Sequence, residues 1–253
     1  MRILLTLPVY NEAAALPKLF AKFQQEMRSA GFASAVIVVD DGSTDDTRSI
    51  LEQWTPALGL DLVIHRVNRG LGETIRDALY RAAELAATDD VIVTMDADNS
   101  QPPSLVPEMA RRIGAGDDLV IASRYRGGAR VIGLSPLRHL MSYGARILFT
   151  AVFPIRNVRD YTSGFRAYRP AVLQQAAAIY GDRFVTERGF SCMAEILLKL
   201  SGLGLKISEV PMVLNYDQKG GPSKMKVAKT VRTTLKLMAR LRFTRTPRLP
   251  PVK

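Results

Sequence analysis

The 253-residue sequence predicts an α/β fold: a mostly parallel sheet with helices over both faces. Three observations lead there. Short apolar runs rich in β-branched residues alternate with stretches of helical spacing. Polar clusters follow three of those runs directly, at the strand ends where ligands sit in sheets of this kind. The composition, 47% hydrophobic and 23% charged, is that of a globular chain rather than a disordered one, and the length suffices for one substantial core.

In chain order, Ile3–Leu7 reads as a strand and Leu16 to Met27 as a helix. Val36–Val39 is a second strand, followed by a helix from about Asp45 to Trp54. Leu62–Arg66 reads as a third strand and Ile75 to Leu85 as a helix. Val91–Met95 and Leu119–Ala122 complete five strands, an alternation with helices that argues for a mostly parallel sheet covered on both faces. Farther on, Leu137 to Phe153 has the pattern of an amphipathic helix with Arg138 and Arg146 interspersed. Phe190 to Leu200 reads as a helix and Leu205 to Asn215 as one strand. From Lys224 to Arg242, apolar Val227, Val231, Leu235 and Met238 recur at helical spacing between basic residues. The organisation expected is one domain over residues 1–223 with a basic amphipathic helical tail over 224–253.

Charge is distributed unevenly. Eleven of the 35 Lys and Arg residues lie at or beyond Lys219, where there is no Asp or Glu; the 24 that remain balance the 24 acidic residues. A neutral body with a basic tail points to an anionic surface as partner. The tail has no aromatic stacking platform, so nucleic acid is not the expected partner. An interfacial helix on anionic lipid fits better, each basic residue adding about 1 kcal/mol near such a surface. With Met1-Arg2 running straight into an apolar strand, a lone Cys192 and no apolar run of about 18 residues, the expected setting is the cytoplasm or the cytoplasmic face of a membrane.

The chemistry concentrates at Asp96-Ala-Asp98, directly after the fourth strand, where two carboxylates are expected to face solvent. Hard oxygen ligands of this type suit Mg²⁺ or Mn²⁺ completed by phosphates and waters. Taken alone, such a pair reads more readily as turn capping than as a metal site. It stands with Leu7-Pro-Val-Tyr-Asn-Glu12 and Val39-Asp-Asp-Gly-Ser-Thr-Asp45 at two earlier strand ends. Three acidic strand ends in one sheet favour a nucleotide and metal site. The glycines of Asn68-Arg-Gly-Leu-Gly72 have a spacing that can cradle phosphate at a helix start. His65 and His139 form no pair by spacing, and His65 and Cys192 read as structural.

These motifs, in this order, resemble those of the family-2 inverting glycosyltransferases of the GT-A fold. With Ala122-Ser-Arg-Tyr125, Thr162-Ser-Gly-Phe-Arg166 and Glu209-Val-Pro211 added, the chain is similar, over about residues 3–224, to the polyprenyl-phosphate (dolichyl-phosphate) mannose and glucose synthases. The resemblance implies a nucleotide diphospho-sugar donor (a GDP- or UDP-hexose), Mg²⁺ or Mn²⁺, and a polyprenyl phosphate acceptor. It also implies roles. Pro8, Tyr10 and Glu12 line the nucleotide pocket; Asp40 or Asp41 bonds the base; Asp96 lies near ribose and metal, and Asp98 is a metal ligand. Arg124 binds phosphate, with Arg138, Asp160 and Ser163 near the acceptor. Where some relatives carry Gln as a further ligand this chain has Ser100, with Gln101 next. An anionic acceptor needs no strong base, since a phosphate monoester's second pKa is about 6. A hydroxyl acceptor needs one, and Glu187 and Glu195 are then the candidates, unless they are ordinary helix or surface residues. A transferase acting on a hydroxyl, and a nucleotide-binding scaffold without turnover, are the other readings.

Overall fold

The computed structural model describes residues 1–218 and 227–243. In order, the chain forms β1 (Arg2–Val9), α1 (Leu16–Ala30), β2 (Ala33–Asp40), α2 (Thr47–Leu58), β3 (Asp61–Ile64), α3 (Leu71–Leu85) and β4 (Val91–Thr94). There follow α4 (Val106–Gly114), β5 (Leu119–Ser123), β6 (Arg130–Ile132), α5 (Pro136–Val152), β7 (Arg166–Tyr168) and α6 (Pro170–Tyr180). The described chain closes with α7 (Cys192–Ser201), β8 (Ile207–Pro211), β9 (Val213–Asn215) and α8 (Val227–Phe243).

Seven strands make the main sheet in the order β3-β2-β1-β4-β7-β5-β8, and β6 pairs with β9 in a small second sheet. All neighbours in the main sheet run parallel except at β7, which is antiparallel to both β4 and β5. The expected α/β sheet is therefore present, with one reversed strand inside it. Its two faces bury separate apolar layers, as the period-2 alternation of strand side chains requires. Ile3, Leu5 and Leu7 of β1 point with Phe20, Phe23 and Met109 into one layer; Leu4 points with Leu79, Leu173 and Ile196 into the other.

Four elements lie outside the sequence-based expectation, and each has a local reason. Strands β6 and β7 are three residues long, too short for any periodicity to register. Helices α4 and α6 carry a proline in their first turn, Pro107 as the second residue of α4 and Pro170 as the first of α6. Proline reads as a breaker in sequence, yet it suits a first helical turn, where its missing N–H has no intrahelical partner. One further expectation is corrected: Leu205–Asn215 is not one strand. It divides at Met212, whose amide donates to Ser123 O, so β8 stays with the main sheet while β9 leaves for β6.

The tail is only partly within the described residues; 219–226 and 244–253 lie outside them. Helix α8 lies on the body, with Leu237 and Met238 buried in the layer that holds Ile196 and Leu197, while Val231 and Leu235 stay exposed. Among the described residues no helix is long and apolar enough to cross a membrane.

Candidate active site

Loops after β1, β2, β4 and β5 meet along one edge of the sheet, the carboxyl edge. The first two lock together. Asn11, at φ +53°, donates its amide to Ser43 Oγ (2.9 Å) and accepts from the Thr44 amide (2.7 Å). Asn tolerates this left-handed backbone better than most residues. Glu12 N donates to Thr47 Oγ1 (2.9 Å). Pro8 is buried, with Tyr10 and Glu12 half-buried beside it.

The adjacent aspartates of β2 and its turn divide their work. Asp40 accepts from the Ser43 amide (3.0 Å) and hydroxyl through Oδ1. Asp41 accepts from the amides of Arg69 (2.8 Å) and Gly70 (2.9 Å), and its Oδ1 meets His65 Nδ1 at 2.8 Å. Asp41 therefore fastens the 69–70 turn, while Asp40 holds the turn that follows β2. His65 bridges Asp41 and Asp77, a structural role as its strand position implied. Gly42 is required: a Cβ there would lie 2.8 Å from the carbonyl carbon of Val67.

The phosphate-cradle reading of Asn68–Gly72 does not survive this geometry. The amides of Arg69 and Gly70 are bound to Asp41, and the amide of Gly72 donates to Arg188 O (3.2 Å). A Cβ on Gly72 would sit 1.8 Å from Glu187 O, so these glycines exist for close approach of two backbones.

After β4, Asp96 and Asp98 are not fully solvent-facing as expected. Asp98 is 8% exposed, and its Oδ1 accepts from the Ser100 amide (3.0 Å) and hydroxyl (2.6 Å). Gln101 clasps Asp96 twice: Asp96 N donates to Gln101 Oε1 (2.9 Å), and Gln101 Nε2 donates to Asp96 Oδ2 (2.7 Å). Ser100 and Gln101 thus orient the two aspartates. A Cβ at Gly164 would lie 3.2 Å from Asp96 Oδ1, so the position beside that aspartate stays small. Among the described residues no three acidic, His or Cys side chains gather as a metal cluster. Two hard carboxylates still fit Mg²⁺ or Mn²⁺, ions that commonly take one or two protein carboxylates and complete their shells with phosphates and waters.

At the end of β5, Arg124 makes a bidentate pair with Asp160, Nε to Oδ2 at 2.8 Å and Nη2 to Oδ1 at 2.7 Å, and Nη2 also donates to Thr162 Oγ1 (2.6 Å). Asp160 is fully buried and also accepts from the Thr162 and Ser163 amides. Burial pushes its pKa up, but the Arg124 charge and these bonds outweigh that and hold it below the ordinary carboxylate range. Ser163 faces inward, its hydroxyl donating to Ala122 O (2.7 Å), so it braces the loop rather than presenting a ligand group. Tyr125 sits between the guanidiniums of Arg124 and Arg146, 5.4 and 5.1 Å from its ring centre, and its hydroxyl donates to Ser142 O (2.9 Å). This contact ties α5 to the site. Arg138, half-buried on the first turn of α5, forms no hydrogen bond or ion pair with that cluster.

Sequence reasoning missed the brace beneath this pair. Glu209 Oε1 accepts from the amides of Arg159 (2.6 Å) and Asp160 (2.8 Å). Its other oxygen lies 2.8 Å from Arg126 Nε, an ion pair by distance whose angle is too poor for a hydrogen bond. The Glu209-Val-Pro211 motif was the available signal. Glu195, a candidate base, is fully buried and accepts from Lys199, Thr186 and the Glu187 amide. Desolvation raises its pKa, but the Lys199 and Thr186 hydrogen bonds prevail and keep it low, the opposite of a poised base. Cys192 is core, its thiol pushed up by burial.

An open, mostly parallel sheet carrying a D-x-D turn on its carboxyl edge defines the GT-A-like class of α/β folds. The chain belongs to glycosyl transferase family 2, whose profile matches residues 5–176. It is 30% identical over 242 residues to dolichol-phosphate mannosyltransferase of Pyrococcus furiosus, covering 95% of this chain but 64% of that protein's length. It is 31% identical over 226 residues to undecaprenyl-phosphate mannosyltransferase of Micrococcus luteus, covering 89% of this chain and 88% of that one. Among solved structures, glucosyl-3-phosphoglycerate synthase of Mycobacterium tuberculosis, in complex with Mn²⁺, UDP and glucosyl-3-phosphoglycerate, superposes with a TM-score of 0.65 at 23% identity. That alignment covers 95% of this chain and 79% of the other, and it shows a shared fold.

Proposed function

We propose that this chain is a metal-dependent inverting hexosyltransferase that moves mannose or glucose from a GDP- or UDP-sugar to a polyprenyl phosphate at a membrane surface. The observation that carries the reading is the Asp96/Asp98 pair, oriented by Gln101 and Ser100 between the β1–β2 rim and the Arg124–Asp160 clamp. Asp98 and Asp96 would hold the metal. When bound, a divalent ion there supplies Lewis-acid neutralisation of charge growing on the departing diphosphate. Pro8, Tyr10, Glu12 and Asp40 would hold the nucleoside. The acceptor's anionic oxygen attacks the anomeric carbon opposite the breaking bond, which inverts that centre, and no proton has to be removed. Arg124, neutralised by Asp160, contributes fixed orientation more than net charge, with Arg138 near the acceptor phosphate.

Burial and the Lys199 pairing of Glu195 remove one of the two candidate bases, and Glu187 is engaged by Arg240 and Ser191, which together support an acceptor that arrives already ionised. The names of the two mannosyltransferases support a polyprenyl phosphate. The surface supports a membrane setting. Leu137, Leu140, Tyr143 and Ile147, each more than half exposed, line one side of α5, the helix that Tyr125 ties to the site. The test is transfer of radiolabelled hexose to a short polyprenyl phosphate, across GDP- and UDP-sugars, with Mn²⁺ or chelator. Metal-dependent, inverted glycosyl phosphate is expected. Transfer to a sugar hydroxyl at equal rate would favour a hydroxyl-directed enzyme, and donor binding without turnover a scaffold.

A further inference from the structure

The C-terminal helix reaches toward the donor rim through a chain of contacts that the reaction itself does not use. Arg240 of α8 donates from Nη2 to Thr186 Oγ1 (2.9 Å), Glu187 Oε1 (3.1 Å) and Glu195 Oε1 (3.3 Å). Glu195 also gathers the amides of Thr186 and Glu187 on its Oε2, at 2.8 and 2.9 Å. Residues 186 and 187 are therefore gripped at their backbone from α7 and at their side chains from α8.

Its other side presses on the start of α3. Arg188 O accepts the Gly72 amide, and Glu187 O lies where any Gly72 side chain would have to be. Gly70 is as crowded: a Cβ there would lie 3.0 Å from Arg188 O. The turn so held donates the Arg69 and Gly70 amides to Asp41, next to Asp40 on the β2 rim. Gly42 of that rim packs in turn against Val67 and Asn68. Each link is a close backbone contact or a charge-assisted hydrogen bond, so displacement at one end has little slack to be absorbed in.

We propose that Arg240 is a positioning residue for the donor: it fastens α8 to the 186–188 segment, and that segment holds the Asn68–Gly72 turn under the β2 rim. The donor half of this inference rests on the function proposed above; the mechanical half does not. Because Lys199 remains on Glu195, and Glu187 keeps the Ser191 hydroxyl and part of its exposure, removing Arg240 strands no fully buried charge, and the fold is expected to persist.

The experiment uses the full chain as wild type, Arg240→Ala, Arg240→Lys and Glu187→Gln. Hydrogen exchange without ligand is read at the amides of Arg69, Gly70, Gly72 and Glu187, and calorimetry reads GDP and UDP binding with Mn²⁺. Exchange at these amides should quicken about tenfold in Arg240→Ala, less in Glu187→Gln, and return toward wild type in Arg240→Lys. The nucleotide that binds should weaken about three- to tenfold in Arg240→Ala, appearing in turnover as a raised donor KM with kcat kept. Unchanged exchange overturns the latch. Faster exchange with unchanged nucleotide affinity and KM overturns the positioning role. If the wild type binds neither nucleotide, the donor reading falls with the positioning role, while exchange still judges the contact. Should Arg240→Ala fail to fold, the same readings on Glu187→Gln decide.

Discussion

Asp98 keeps a carboxylate at 8% exposure with the Ser100 amide and hydroxyl on one oxygen, an arrangement that fixes its direction before any ligand arrives. Asp98→Asn removes the charge and keeps the shape. Transfer should fall by about 10²-fold or more, with the thermal midpoint within a few degrees of wild type. Calorimetry on the same variant should find nucleotide affinity equal in Mn²⁺ and in chelator, whereas wild type should bind more tightly with metal, since coupling between two ligands is reciprocal. Preserved metal-dependent activity would remove Asp98 from the site. Asp160 predicts a pH effect of definite sign. Its folded pKa lies below the ordinary value of about 3.9. Its contribution is therefore complete above that ordinary value and is lost as pH falls through the folded one. Urea unfolding midpoints should decline below about pH 4 in wild type. Asp160→Asn should flatten that decline and cost about 3–5 kcal/mol at pH 7, because Arg124 is left without its buried partner. A decline of equal depth in the variant would place the acid sensitivity elsewhere.

Helix α5 has Phe149 as its one fully buried apolar anchor and exposes most of its other large apolar side chains, whereas α8 inserts Leu237 and Met238 and exposes Val231 and Leu235. Of the described residues, α5 therefore offers the larger exposed apolar face for the membrane contact proposed above. Cutting the chain near residue 223 would be a poor test, since it also removes two core side chains worth about 1.5–3 kcal/mol each. Leu140→Glu with Ile147→Glu should instead reduce flotation on anionic vesicles by about tenfold while the thermal midpoint stays put. Equal flotation would clear α5 of the role. The element scale is also where the sequence was most and least informative. Strands β1, β2, β4 and β5 showed themselves because each is a run buried on both faces. Their polar ends marked the edge, and with it Asp40, Asp96 and Asp98. What stayed hidden joins residues far apart in sequence: Arg124 to Asp160 across 36 positions, Asp160 to Glu209 across 49. Such pairs leave no periodic trace. Arg124 was legible as a site residue, but not that a buried carboxylate already occupies two of its nitrogens; Ser163 was legible as conspicuous, but its hydroxyl turns inward.

At the scale of the molecule, β7 is what makes one sheet out of two. Strands β3, β2, β1 and β4 form one continuous ribbon encoded within residues 2–94, and β5 with β8 forms another; three residues, Arg166–Tyr168, hydrogen-bond to both. Because β7 runs in reverse, its beginning lies at the carboxyl edge, so the preceding loop brings Asp160 and Gly164 beside Arg124 and Asp96 with no further crossover. The consequence is one of timing. A ribosome finishes the whole nucleotide-side ribbon some seventy residues before it supplies the strand that can join it to the rest. Until then the free side of β4 is an unpaired edge, open to mispairing. Pulse-labelled exchange on ribosome-stalled chains should therefore show β1 and β2 amides protected before β7 has emerged, with β5 and β8 following once it has; absence of any β1 and β2 protection until β7 emerges would refute that order. The acidic turn after β4 would then exist early, and its clamp would arrive last.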